Sequence, residues 1–140
     1  MSNSGYFIDT NIFLYSVGRD HPLKPASLNA IHLIREGQIA AVINTEIVQE
    51  TLYHFQSIKQ LSIGIRLAKD IVSISSRILP VEETDLSLAF ELLETYPKIQ
   101  TRDAFHAATM IHNGIKEIIS TDPHFDLIPE IKRIDPTKLG

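Results

Sequence analysis

TRDAFHAATMIHNGIKEIISTDPHFD, residues 101–126, is the stretch that decides the fold class, because it reads as a helix, a strand and a tight turn with acids at the joints. Thr101 reads as an N-cap, and Asp103 falls in the first helical turn, where the macrodipole favours a negative charge. Ala104, Ala107, Ala108 and Ile111 form a narrow apolar stripe at helical spacing, and Gly114 is a good C-terminal stop. Ile115, Ile118 and Ile119 make a β-branched run too short for a helix and suited to a buried strand. Asp122-Pro123 ends that strand sharply. In a parallel α/β sheet such a helix starts, and the following strand ends, on the edge where these folds bind ligands. Asp103 and Asp122 are therefore expected on one rim.

The rest of the chain repeats this alternation. Tyr6-Phe7-Ile8 is a short apolar segment ending in Asp9, followed by Thr10-Asn11 as a cap and a helical run from Ile12 to Val17. A loop over 18–22 leads to a helix over 25–36, with Leu28, Ile31, His32 and Ile34 on or near one face and Gly37 as its stop. Residues 39–43 read as the second strand. Asn44 or Thr45 caps the next helix, which carries Glu46 and Glu50 on one side near the same rim. A further helix is expected over 61–77, where Gly64 and the serines weaken the pattern. A third strand follows over 78–81, then an amphipathic helix over 84–96 stopped by Pro97, a loop over 125–129 and a short last strand over 131–134. Alternation throughout predicts an α/β fold, a three-layer α/β/α sandwich around a mostly parallel sheet of four or five strands, helices lying on both faces.

Composition sets outer limits. The chain reads as a single domain over 1–140, with no internal repeat, low-complexity tract or linker. It has no cysteine, which removes disulfides and thiolate zinc sites. No apolar run approaches the ~20 residues of a membrane span. The N-terminus lacks the basic and apolar regions of a signal peptide, so a cytoplasmic location is expected. The formal net charge of −4 argues against simple electrostatic binding of nucleic acid, yet leaves room for phosphate contacts made through metal ions.

Acids mark the joints. Asp9 ends the first strand, Glu50 lies in the helix after the second, Asp103 opens a helix, and Asp122 follows a strand, with Asp126 close behind. An Asp at a strand end or helix start is often only a cap. Four acids on one predicted rim, however, would raise one another's pKa unless a cation neutralised them. Hard oxygen ligands suit Mg²⁺ or Mn²⁺, and one or two such ions can drive hydrolysis of a phosphodiester. Glu46 competes with Glu50 for the second position, and Asp126 also reads as an ordinary turn residue. His106 neighbours Asp103 on the helix surface. It either orients a carboxylate or touches a phosphate, or it is a half-buried ring with its own partners. Arg102 reads as a partner for a carboxylate or a phosphate, and equally as part of a solvated surface pair. Thr10, Asn11 and Thr121 flank the acids and suit both supporting hydrogen bonds and plain capping.

At these residues the chain resembles the PIN-domain ribonucleases, the family that includes the VapC-type toxins, over nearly its whole length. FIDTN at 7–11 looks like the opening motif with its first acid, and Glu50 stands where the second acid belongs. RDAFHAA at 102–108 resembles the third-acid motif and STDPHFD at 120–126 the last. The resemblance implies a Mg²⁺- or Mn²⁺-dependent endoribonuclease acting on single-stranded RNA. It also implies frequent homodimers and, for many members, a small antitoxin protein that neutralises the toxin. One departure is visible: many toxin members follow the second acid with a short glycine-containing motif, whereas TLYHFQ stands here at 51–56.

The expectation is a ribonuclease in which Asp9, Glu50, Asp103 and Asp122 hold the metal, Asp126 assists, and no side chain acts as nucleophile. An RNA-processing nuclease with no antitoxin is an alternative within the same chemistry. A receiver-type signalling or binding module would need an acceptor Asp after the third strand and a lysine after the last; Pro80, Glu82 and Glu83 stand at the first place. A phosphatase of the haloacid-dehalogenase type would need a second Asp two residues after Asp9, where Asn11 stands.

Overall fold

The computed structural model describes residues 5–140; the N-terminal features weighed for a signal peptide fall partly on residues 1–4, outside the described residues. β1 (Tyr6–Ile8) leads into α1 (Thr10–Val17) and α2 (Lys24–Arg35), then β2 (Ala41–Asn44), α3 (Thr45–Ser57) and α4 (Leu61–Ile74). β3 (Arg77–Leu79), α5 (Glu83–Thr95), α6 (Thr101–His112) and β4 (Glu117–Ile119) follow. A 3₁₀ turn over Pro123–Leu127, β5 (Lys132–Ile134) and a second 3₁₀ turn over Pro136–Lys138 complete the chain.

The five strands form one sheet in the order β3-β2-β1-β4-β5, and every neighbouring pair is parallel. Phe7 and Ile8, Val42 and Ile43, and Ile118 and Ile119 are consecutive pairs with no solvent exposure. Because successive strand side chains point to opposite faces, both faces of the central strands are covered, which is the three-layer α/β/α arrangement. The helices pack as neighbours in pairs, α1 with α2, α3 with α4 and α5 with α6. From β1 the chain steps outward to β2 and β3, then returns past β1 to β4 and β5. Right-handed crossovers put α1–α4 on one face and α5–α6 on the other. The reversal lies between β1 and β4, and the residues that leave those strands are Asp9 and Ser120.

Several boundaries differ from the sequence reading, each for a local reason. α1 starts at Thr10 because Asp9 itself is the N-cap, its carboxylate accepting from the Thr10 N–H. Gln100, not Thr101, is the N-cap position of α6, and it caps through its extended backbone alone. α4 stops at Ile74 rather than 77, because Ser76 turns into the sheet and gives both its N–H and its hydroxyl to the Ala41 carbonyl. β3 consequently runs over 77–79, and Pro80 ends it. Pro123–Leu127, placed in the turn and following loop by sequence, winds into a 3₁₀ turn that buries Phe125. The C-terminus of α6 behaves as Gly114 foretold. Gly114, at φ 71°, donates to the Ile111 carbonyl and Ile115 to the Met110 carbonyl, closing a Schellman motif.

Gly64 has a packing reason. A Cβ at this position would lie 2.6 Å from the Cβ of buried Phe55, where α3 and α4 meet. Gly64→Ala gains up to about 1 kcal/mol of helix propensity but overpacks a site where such strain costs about 1–3 kcal/mol. We expect a net loss of about 1 kcal/mol in urea denaturation; a variant more stable than the parent would show that Phe55 yields freely.

Candidate active site

The cleft at the sheet reversal has a volume of ≈ 420 Å³ and is lined by Asp9, Glu50, Asp103 and Asp122 together with Thr10, Asn11 and Arg102. Four separate segments deliver the acids. β1 ends at Asp9, α3 carries Glu50, the first turn of α6 carries Asp103, and Asp122 lies beyond β4.

Asp9 is buried and fully engaged. Its Oδ1 accepts from the Thr10 N–H at 2.8 Å, and Oδ2 accepts from the Ser120 hydroxyl at 2.6 Å and from Asn11 Nδ2 at 3.3 Å. Burial raises its pKa, and His106 and the Ser120 hydroxyl offset only part of that rise. Ser120 is a site residue that sequence reasoning missed. Its hydroxyl also accepts from the Asp122 N–H at 3.0 Å and so joins the first and last acids. Its place directly after a β-branched strand and before Thr121-Asp122 was the available signal.

Glu50 is held from two sides. Oε2 accepts from the Thr10 hydroxyl at 2.7 Å, and Oε1 lies 2.7 Å from His106 Nε2. Burial would raise its pKa, but His106, Thr10 and the charge of Arg102 outweigh burial and lower it. Glu46 lines the same cleft one turn earlier without these two contacts. The local geometry therefore distinguishes the two glutamates, which sequence spacing left open.

His106 is fully buried, so its ring faces protein and cannot reach a substrate phosphate. Asn44, also fully buried, lies 3.1 Å from His106 Nδ1 through its Nδ2. The Asn44 amide has one orientation that serves all its neighbours: Oδ1 caps the Ile47 N–H, and Nδ2 faces Thr109 Oγ1, whose own proton goes to the Phe105 carbonyl. Nδ2 therefore donates to Nδ1, which leaves the imidazole proton on Nε2, facing Glu50. Burial opposes charging the ring, while Glu50, Asp9 and Asp103 pull its pKa above the ordinary value. The fixed amide of Asn44 works against a second proton, and we assign the neutral Nε2–H tautomer. Nδ1 is thus engaged by Asn44, and Nε2 lies against the Glu50 carboxylate.

Asp103 has a pKa raised to about 7, first by burial and next by the charge of Asp9, with Asp122 adding to the rise. The native state therefore keeps a proton that the unfolded chain releases near pH 4. The stability contributed by this proton is complete below about pH 4 and is lost as pH rises through about 7. The expected result is that, with EDTA present, the urea midpoint is lower at pH 8 than at pH 5. Asp103→Asn removes the part of this pH dependence that Asp103 contributes, Asp9 keeping its own, and is the more stable protein at pH 8, by about 1–3 kcal/mol. Equal pH profiles for parent and variant would refute this assignment.

Two predicted residues lie elsewhere. Asp126 is exposed and bound bidentately by Arg133 at 3.1 and 3.2 Å, and it does not line the cleft. Arg133 also donates to the Ser120 carbonyl, so Asp126 touches the site only through that arginine. In this structure it stands apart from the other four acids, because the 3₁₀ turn after Pro123 swings it outward. Thr121 is half-buried and likewise outside the lining. Arg102 is exposed on the rim, and its charge acts on Glu50.

Asp9, Asp103 and His106 bring possible ligand atoms within 4.8 Å of one another. With His106 committed to Asn44 and Glu50, the remaining donors are carboxylate oxygens, joined by Asn11 Oδ1, which is buried without a protein partner. A divalent cation with a preference for oxygen fits this set. It would take the place of the proton on Asp103 and cancel the repulsion that Asp9 exerts. The segment after β3, Pro80–Glu82, is absent from the cleft lining, which removes the place a receiver-type acceptor would occupy.

Comparison with known proteins finds relatives over most of the chain. The family model described as PIN domain matches residues 6–131. The chain is 34% identical over 128 residues to the ribonuclease VapC13 of Mycobacterium tuberculosis, covering 91% of this chain and 97% of that protein. It is 33% identical over 116 residues to the ribonuclease VapC23 of the same species, covering 83% and 91%. Among solved structures, VapBC2 from Rickettsia felis bound to a promoter DNA fragment is similar, with a TM-score of 0.72 and 20% identity over 92% of this chain and 96% of that one. So is the Mycobacterium tuberculosis toxin VapC20, described as cleaving the sarcin-ricin loop, with a TM-score of 0.72 and 16% identity over 89% and 95%. At these identities the structures speak to the fold.

Proposed function

This chain belongs to the PIN domain family, and we propose that it is a divalent-metal-dependent endoribonuclease acting on single-stranded RNA, the toxin of a toxin–antitoxin pair. The observation that carries this reading is the meeting of four carboxylates from four segments in one cleft, with Asp103 pushed to a pKa of about 7. Such a cluster is unfavourable by itself and becomes favourable around a dication. The curated relatives carry ribonuclease in their names, and the similar solved structures include toxin–antitoxin complexes. Those facts support the substrate class and the partner. The homodimer and the cytoplasmic setting belong to the same proposal; no helix among the described residues is long and apolar enough to cross a membrane.

Asp9, Asp103, Asp122 and Glu50 would hold Mg²⁺ or Mn²⁺, whose charge, when bound, lowers the pKa of water and stabilises the oxygens of a phosphodiester under attack. Thr10 and His106 orient Glu50, and Ser120 and Asn11 orient Asp9. Arg102 offers a guanidinium to a substrate phosphate from the rim. The Thr10 hydroxyl is engaged with Glu50 and the Ser57 hydroxyl with the His54 carbonyl, so water rather than a side chain is the expected nucleophile.

The deciding experiment is cleavage of a labelled single-stranded RNA panel with Mg²⁺, with Mn²⁺ and with EDTA. Internal cuts that need either metal and vanish in EDTA are expected. Cleavage undiminished by EDTA would remove the metal mechanism. A small protein encoded beside this chain, copurifying with it and suppressing the cuts, separates the toxin reading from that of an RNA-processing nuclease without an antitoxin.

A further inference from the structure

Resting on the ribonuclease reading, we propose that Tyr53 is a substrate-contacting residue that stacks on an unpaired RNA base adjacent to the scissile phosphate. The cleft does not stop at the acids. Glu46, Gln49, Glu50, Tyr53, His54 and Ser57 line it along α3. Their spacing of three and four residues is one face of a helix. Tyr53 is 70% exposed, the largest exposure among the exposed large hydrophobic side chains, on a stripe that is otherwise polar. It lies one turn beyond Glu50, about 4.5 Å along the helix axis. A nucleotide whose phosphate rests on the carboxylate cluster therefore has its base within reach of the ring.

The neighbouring groups divide the tasks of binding a flexible strand. Arg102, on the opposite wall, is the cation available to the backbone, and Gln49, Gln100 and Ser57 offer hydrogen bonds to base edges. His54 packs edge-on to buried Phe55, at 5.1 Å between ring centroids, which holds it to the helix. The Tyr53 face is left to the cleft. Base–aromatic stacking contributes about 1–3 kcal/mol per base and requires an unpaired base, because a duplex buries both faces of each base in its own stack. A net charge of −4 makes such a contact more valuable, since the protein gains little from overall attraction to RNA.

The test uses the full chain with Mn²⁺ and a short mixed-sequence single-stranded RNA. Tyr53→Ala is expected to raise KM by about fivefold to a hundredfold, with a smaller change in kcat, and Tyr53→Phe to retain the parent KM. An abasic nucleotide beside the cleavage position should cost the parent as much as Tyr53→Ala costs, and should cost Tyr53→Ala almost nothing further. If Tyr53→Ala leaves KM unchanged, or if Tyr53→Phe is as poor as Tyr53→Ala, the proposal is overturned. A change in oligomeric state with unchanged KM would assign the ring to a protein interface and overturn it too. Should the parent cut no RNA at all, the ribonuclease reading fails on that result. Fluorescence anisotropy of the same RNA then decides the stacking contact: binding weakened by Tyr53→Ala and kept by Tyr53→Phe upholds it, and binding that is absent or insensitive to both overturns it.

Discussion

Asp9→Asn is expected to abolish RNA cleavage for practical purposes, lowering kcat by about 10²–10³-fold or more, while the protein stays folded. The reason lies in what the substitution leaves untouched. Asparagine is as good an N-cap as aspartate, so the bond from the Thr10 N–H to Oδ1 and the start of α1 survive. The side-chain volume is the same, and the carboxylate replaced is one that burial disfavours in its charged form. The amide Nδ2 cannot accept from the Ser120 hydroxyl and Asn11 as Oδ2 does, so the relief of a buried charge is offset by about 1–3 kcal/mol, and a folded protein with a thermal midpoint near the parent's is expected. What disappears is one negative charge at the centre of the cluster, and with it a ligand for the cation. Asp9→Ala is a harsher change, because it removes the cap as well, which costs about 0.5–2 kcal/mol. A folded Asp9→Asn protein with parental activity would sink the proposed site.

The largest effect on stability is expected at His106. His106→Ala should lose about 2–5 kcal/mol in urea denaturation, because it removes a fully buried ring, leaves a cavity and takes a partner from half-buried Glu50. Glu50 Oε1 loses the Nε2 atom that lies 2.7 Å away, and the Asn44 amide loses its acceptor at Nδ1. Phe7, whose ring centroid lies 5.4 Å from that of His106, loses packing at the heart of the sheet. Part of the loss is that of the contact between His106 and the Glu50 carboxylate, and a double-mutant cycle exposes this. Glu50→Gln combined with His106→Ala should be clearly less destabilised than the sum of the single changes, because that sum counts the shared contact twice. Strict additivity would show that the two residues do not act as a unit. The same cycle followed by activity separates roles, since His106 positions Glu50 and does not itself meet the substrate.

Much of the fold was written locally. The pairs Phe7-Ile8, Val42-Ile43 and Ile118-Ile119 are apolar at consecutive positions, a pattern suited to strands buried on both faces. Gly114 and the alanines of α6 announced a helix that ends abruptly and packs closely. The joints between strands and helices placed Asp9, Asp103 and Asp122, because in a parallel sheet every strand end and every following helix start falls on one edge. Boundaries were less legible wherever a side chain took over a backbone task. Asp9 capped a helix earlier than its apolar pattern began, and Ser76 drew the chain out of α4 by bonding to Ala41. Neither event leaves a trace in periodicity.

The assembly of the site belongs to the tertiary structure. Sequence spacing could not separate Glu46 from Glu50, since both lie on the same side of α3; the choice is made by Thr10 and His106, which arrive from α1 and α6. Ser120 gained its importance only when β4 paired with β1 and brought its hydroxyl to Asp9. Asp126 lost the place its proximity to Asp122 had given it, because a five-residue 3₁₀ turn rotated it toward Arg133. The sequence by itself determined the parallel α/β architecture and the acids at its edge, through apolar patterning and chain breaks that act over a few residues. Which carboxylates face one another, and which of them holds a proton near neutral pH, was decided by packing. Burial and the approach of groups distant in the chain set those energies, and neither exists until the sheet has formed.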